Sequence, residues 1–221
     1  MNIKNFFIAL CLFVILPVFA EDDSFYKVLR IVDGDTVILD LNRDGIEEND
    51  ERVRVNGIDT FETRINQGLY RQMQENNLSY SEVLGLGYLA KEFAIKELLG
   101  KNVKVVYSAE DDCDKYNRKI ASIYYDCDKN GICKNYEQEI LKSGLALLYP
   151  YSNLYDYLYR YENKEKMLEH LPEARRLKLV FLEKNYGVYH NITCENIRIN
   201  EDYILIRKPI LKYKWAKCCK H

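Results

Sequence analysis

Between Phe25 and Val55, apolar and polar positions alternate in short runs. Phe25-Tyr26-Lys27-Val28-Leu29-Arg30-Ile31-Val32 reads as a strand, Asp33-Gly34 as a turn, and Thr36-Val37-Ile38-Leu39 as the returning strand. A polar segment, 40–51, leads into a third strand at Val53-Arg54-Val55. The period then changes. Leu89, Ala90, Phe93 and Ala94 share one helical face, which predicts a helix from about Gly87 to Leu99 with Gly100 as its stop. An earlier start at Ser79-x-x-Glu82, which resembles a capping box, is the competing reading. Gly85 and Gly87 would each cost about 1 kcal/mol inside that longer helix, so the later start is favoured. Strands follow at Val103–Tyr107 and Lys119–Tyr125, then a short helix ending at Gly144 and a long charged helix within 153–186, ending at Gly187. Short strands with interspersed helices, no repeat and no linker before 190 predict a small barrel decorated by helices.

The first twenty residues follow a different pattern. Lys4 is the single charge before an apolar run from Phe6 to Val18, and Val18-Phe19-Ala20 precedes Glu21-Asp22-Asp23. That arrangement reads as a cleaved secretory signal, the run being shorter than the ~20 residues a membrane anchor needs. The expected organisation is therefore a signal at 1–20, a main domain at 21–190 and an extension at 191–221. The expected location is secreted or periplasmic, with no stable membrane association after cleavage.

Composition adds limits. With 48% hydrophobic and 30% charged residues the chain is globular rather than disordered, and its net charge of −2 excludes a generally basic coat for nucleic acid. The charge is uneven, because from Tyr203 onward six Lys/Arg face no Asp/Glu. Cys113, Cys127, Cys133, Cys194, Cys218 and Cys219 remain after the signal. An even count in an exported chain favours disulfides, and Cys127 with Cys133 is the most local pair, spanning an Asn130-Gly131 turn. No Cys-x-x-Cys occurs and the histidines are scattered, which argues against zinc.

Three clusters combine carboxylates or arginines with turn residues: Asp33-Gly34-Asp35-Thr36, Arg54-Val55-Asn56-Gly57-Ile58-Asp59-Thr60-Phe61-Glu62-Thr63, and Asp114-Lys115-Tyr116-Asn117-Arg118. Each alone reads as a solvated turn or a surface charge. Together they suit phosphodiester hydrolysis, with oxygen ligands for a hard cation, a carboxylate to activate water and planar guanidinium forks for phosphate.

In this order the clusters resemble those of the staphylococcal nuclease family, across roughly Phe25 to Tyr189. The resemblance implies an α+β fold, a five-stranded oligonucleotide-binding-type (OB-fold) β-barrel with about three helices. It implies that Asp35 and Asp59 ligate Ca²⁺ by their carboxylates and Thr60 by its carbonyl. Glu62 would hold or deprotonate the attacking water, while Arg54 and Arg118 would clamp the scissile phosphate. Lys115 and Tyr116 would contact a flanking phosphate or sugar, and Tyr149 or Tyr151 would stack on substrate. The implied activity is hydrolysis of DNA and RNA with little sequence preference, leaving 3′-phosphate ends, by a monomer.

Two departures from the family pattern stand out. Phe61 occupies the place of a usual Pro, which would hold Glu62 less firmly, and residues 63–86 form a longer connection than usual, of the kind that forms lids. The alternative function is a non-catalytic OB-fold module that binds nucleic acid. Six tyrosines between Tyr149 and Tyr161 could serve it by stacking, although the resemblance places them on a helix, where packing is the expected use. The basic tail could draw in nucleic acid or dock on the body through Cys218 or Cys219. Residues 40–51 also match the calcium-loop pattern in full, with Asp40, Asn42, Asp44, Ile46 and Glu51 as donors to a second, structural Ca²⁺. The competing reading is an acid-rich hairpin tip, because strands flank the loop and Glu48 replaces its usual apolar residue.

Overall fold

Asp33-Gly34 turns the first strand back, and the barrel grows from that hairpin. The computed structural model describes residues 25–107, 113–116, 118–149, 162–194, 197, 203–207 and 214–215. Strand β1 (Phe25–Asp33) pairs antiparallel with β2 (Thr36–Leu39), and β2 with β3 (Arg52–Val55). On its other side β1 pairs with β5 (Asn102–Tyr107), which pairs with β6 (Lys119–Tyr125). The five strands close because β3 also runs parallel to β6, with Arg54 opposite Ile120. Val28, Val37, Leu39, Val53, Val55, Val103 and Ile123 fill the core with helix residues Ala90, Ala94 and Leu98. This is the expected closed α+β barrel.

Helix α2 spans Tyr80–Leu98, so the capping box starts it and the later start at Gly87 is corrected. The Ser79 N–H donates to Glu82 Oε2 at 2.7 Å, and the Glu82 N–H returns to Ser79 Oγ at 3.4 Å. Close packing explains why the glycines are tolerated. A Cβ on Gly87 would lie 2.5 Å from the Glu62 carbonyl oxygen, and one on Gly85 would lie 2.8 Å from that of Ala174. Propensity is lost so that the helix backbone can approach two neighbouring backbones.

The 63–86 stretch is not an open connection. It contains α1 (Gln67–Asn76), a left-handed turn residue Asn77 (φ 52°), and the first turns of α2. Leu69, Leu78, Val83 and Leu84 bury against Phe61, Met167 and Phe181 in a second core. The length of the insertion is spent on packing.

The long helix expected to reach Gly187 is also corrected. Residues 162–168 (α4) are helical, Pro172 opens a short α5 (Leu171–Arg176), and the chain then enters β9 (Leu179–Glu183). The run Leu179-Val180-Phe181 buries on a sheet, where β9 lies between β10 (Val188–Asn191) and β11 (Tyr203–Arg207), with β12 (Lys214–Trp215) parallel to β10. Gly187 (φ 59°) belongs to the β9–β10 turn. Strands on both sides of residue 190 thus share one sheet.

Two loops carried separate expectations. Cys127 and Cys133 form the expected disulfide, in a loop where Asp128 Oδ1 accepts from the N–H groups of Asn130 (2.8 Å) and Ile132 (2.9 Å). In loop 40–51, Asp40 Oδ1 accepts from the Gly45 N–H at 3.0 Å and buried Glu51 accepts from the Leu41 N–H at 2.7 Å. Asp44 Oδ1 likewise accepts from the Ile46 N–H at 2.7 Å, while Glu47 pairs with Arg30 and Glu48 accepts from the Asn42 side-chain amide. These hydrogen bonds are compatible with both readings of the loop, the acid-rich hairpin tip and the structural calcium site.

Strand β7 (Lys134–Asn135) leads into helix α3 (Tyr136–Lys142), whose first turn buries Glu137 beneath the Ile123 N–H. Burial raises this carboxyl from 4.5 to about 7, partly offset by hydrogen bonds from its own amide, Ser122 and Ile123. A raised folded-state value means that the group favours folding below about pH 4.5, and that this advantage fades as pH rises through 7. Glu137→Gln should therefore lessen the loss of stability across that window, so that urea unfolding at about pH 5 and pH 8 shows a smaller fall in the variant than in the wild type.

Candidate active site

Asp35 is 3% exposed, and a carboxylate so buried must be compensated by its neighbours. Its Oδ2 accepts from the Thr60 N–H (2.7 Å) and the Thr60 hydroxyl (2.9 Å), and its Oδ1 from the Thr36 hydroxyl (3.1 Å). Arg54 Nη1 makes a close ion pair with the same Oδ1. Arg54 Nη2 donates to the Ile58 carbonyl (2.8 Å) and to Asp59 Oδ1 (3.3 Å). Strand register produces this convergence. Thr36 lies opposite Arg54 across β2–β3, and β4 (Ile58–Asp59) is pinned by pairing with β8 (Leu147–Leu148). Gly34 permits the tight entry, since a Cβ there would come within 2.8 Å of Ala90 and Thr60 side-chain carbons.

Arg118 joins the network from the other side. Its Nε and Nη2 grip Asp114 Oδ2 at 2.7 and 2.6 Å, and its Nη1 donates to Thr36 Oγ1 at 3.3 Å. Asp114 Oδ1 also accepts the backbone N–H groups of Tyr116 (2.9 Å) and Arg118 (3.0 Å). Asp114 had no assigned role in the sequence, yet it fixes the arginine. The spacing of four residues to Arg118 was the available signal. Tyr116 is 67% exposed, with Lys115 Nζ 5.0 Å and Arg118 Cζ 5.4 Å from its ring centre. Tyr149 is partly exposed and donates its backbone N–H to the Gly57 carbonyl at 2.9 Å, beside β4. Tyr151 and the other tyrosines up to 161 lie outside the described residues, as do the signal segment and Cys218–Cys219.

Glu62 enters from the segment after β4. Its N–H donates to Gln72 Oε1 (2.9 Å), while Gln72 Nε2 donates to the Thr60 carbonyl (3.0 Å). Asn66 Nδ2 donates to Glu62 Oε2 at 2.9 Å. Neither Asn66 nor Gln72 belongs to a motif, and sequence reading missed both. Phe61 is 4% exposed, packed in the second core. Helix packing and the Gln72 bridge hold the turn where a proline was expected.

The acids outnumber their cations. Burial, then repulsion from Asp35, lifts Asp33 to about 7. Burial also raises Asp35, but Arg54 and the hydrogen bonds from Asp33 and Thr60 outweigh it and hold that carboxyl below its ordinary value. Burial raises Glu62, and the Asn66 hydrogen bond moderates the rise. Arg54 is held above its ordinary value because attraction to Asp35, Asp59 and Asp33 overcomes the cost of burial. Asp35, Asp59 and the Thr60 carbonyl supply only hard oxygen donors, in a site with surplus negative charge. That donor chemistry fits a divalent cation such as Ca²⁺.

The family model described as staphylococcal nuclease homologue matches residues 52–181, which takes in Arg54, Asp59, Thr60, Glu62 and Arg118 and leaves out Asp35 and Thr36. An uncharacterized protein of Methanocaldococcus jannaschii is 35% identical over 127 residues, covering 56% of this chain and 58% of that protein. A thermonuclease of Staphylococcus intermedius is 32% identical over 148 residues, 66% of this chain and 73% of its own length. A thermonuclease of Staphylococcus hyicus is 28% identical over 150 residues, covering 68% and 74%.

Removing Arg54 would leave Asp35 buried without its counter-charge. Arg54→Gln should cost about 3–5 kcal/mol of unfolding free energy in calcium-free buffer at pH 7. Adding Asp35→Asn should recover much of that loss. Additive single costs in the double-mutant cycle would contradict the direct coupling.

Proposed function

The chain belongs to the staphylococcal nuclease family, and from that premise we propose that it is an exported, calcium-dependent nuclease hydrolysing DNA and RNA with little sequence preference. The observation that carries the proposal is the single hydrogen-bonded network linking Arg118, Thr36, Asp35, Arg54 and Asp59, with Thr60 leading directly to Glu62. Asp35, Asp59 and the Thr60 carbonyl would hold the calcium ion, which when bound supplies positive charge toward the oxygens of the scissile phosphate. Glu62 accepts a proton from the attacking water. Its buried setting suits a base whose proton affinity lies above that of an ordinary carboxylate. Arg54 and Arg118 donate N–H groups to the phosphate as charge develops on its equatorial oxygens. Water adds to phosphorus, the bond to the 5′-oxygen breaks, that oxygen takes a proton from solvent, and the products are a 3′-phosphate and a 5′-hydroxyl. Lys115 and Tyr116 meet a flanking phosphate or sugar, and Tyr149 or Tyr151 stacks on a base.

Export rests on the signal-like segment at 1–20, and the Cys127–Cys133 disulfide supports an oxidising compartment. Among the described residues no helix is long and apolar enough to cross a membrane.

Purified protein incubated with plasmid DNA and with RNA should degrade both in calcium and neither in chelator. Glu62→Gln, Arg54→Ala and Arg118→Ala should each lower turnover about 10²–10³-fold, the loss typical of one transition-state contact. Near wild-type activity in Arg118→Ala would overturn its role. Retarded but uncut DNA with the wild-type protein would favour the binding-module alternative.

A further inference from the structure

Helix α1 lies in the 63–86 insertion, and its side chains converge on the segment Thr60–Glu62 from one side. Gln72 is 4% exposed and spans that segment with a single amide, accepting the Glu62 N–H at 2.9 Å and donating to the Thr60 carbonyl at 3.0 Å. Across these residues it does what a neighbouring strand would do, supplying one acceptor and one donor to extended backbone. Asn66 has two functions. Its Oδ1 caps the helix by accepting the Leu69 N–H at 2.9 Å, while its Nδ2 donates to Glu62 Oε2 at 2.9 Å. Gly68, in the first turn of α1, faces the other carboxylate oxygen, and a Cβ there would stand 2.5 Å from Glu62 Oε1. The carboxylate therefore rests between the Asn66 amide and a gap that only a glycine leaves.

We infer that α1 is a positioning device for Glu62, in which Asn66, Gly68 and Gln72 set the carboxylate and its backbone in place of the missing proline at Phe61. The inference rests on the proposed role of Glu62 as the base. A base displaced by even an ångström loses much of its effect, and partners of this kind are worth about 10–100-fold in activity.

The variants separate positioning from folding. Asn66→Ser keeps a good helix cap but loses the amide donor. Gly68→Ala improves helix propensity, and its Cβ would meet Glu62 Oε1 at 2.5 Å and the capping Asn66 Oδ1 at 3.1 Å, so it displaces the carboxylate while leaving the hydrophobic cores untouched. Gln72→Leu removes the backbone bridge. We expect Asn66→Ser and Gly68→Ala to remain folded, melting within about 4 °C of the wild type, to retain KM for a fluorogenic DNA oligonucleotide, and to lose about 10–100-fold in kcat. In calcium-free Gln72→Leu, the Glu62 amide should lose its protection from hydrogen exchange. Wild-type kcat in both Asn66→Ser and Gly68→Ala, with Glu62→Gln inactive, would overturn the inference and leave the nuclease reading standing. Wild-type kcat in Glu62→Gln would remove the base itself, and the inference with it.

Discussion

The Asp35 carboxylate is the constraint around which the site is built. An ionised group with so little exposure needs a full set of donors, and these come from Thr36, Arg54 and Thr60. Satisfying it fixes the β1–β2 turn against β3 and draws the segment after β4 onto the barrel. Arg54, so committed, also orders Ile58 and Asp59. Arg118 reaches the same centre through Thr36. The acids nevertheless exceed the cations, with Asp33 raised to about 7. A folded state that tolerates such an imbalance is held by the packing of its two cores, and the imbalance is what suits the site to a hard cation.

A second layer surrounds that centre. Glycines at 34, 68 and 87 let backbone or carboxylate approach within distances that a Cβ would block. Gly87 brings α2 onto the carbonyls of Phe61 and Glu62, while α1 presents Asn66 and Gln72. The segment bearing Glu62 is thus held by two helices that share the second hydrophobic core. The Glu62 carboxylate is held by tertiary contacts rather than by the chain's own dihedral limits.

Much of this was legible in the sequence, for identifiable reasons. Strands β1, β2 and β6 were readable because alternation and the Asp33-Gly34 turn are local signals, and the three charged clusters because each sets carboxylates or arginines among turn residues. The start of α2 was misread because the local cost of Gly85 and Gly87 outweighed a correct capping box, and the compensating contacts are with residues far along the chain. The strand at Leu179–Glu183 was hidden within a charged stretch, since its partner Tyr203–Arg207 lies beyond the expected domain end. Asn66 and Gln72 could not be found by motif. A side-chain amide that bridges backbone leaves no pattern in sequence until the fold brings it to its partner.

In the proposed reaction this network directs water onto phosphorus. This is tested most directly by cleaving a defined DNA oligonucleotide with the purified protein and calcium in ¹⁸O-enriched water, then weighing the product ends. The account predicts a 3′-phosphate carrying one solvent-derived oxygen and an unlabelled 5′-hydroxyl. Label on a 5′-phosphate, or an intact oligonucleotide, would contradict it.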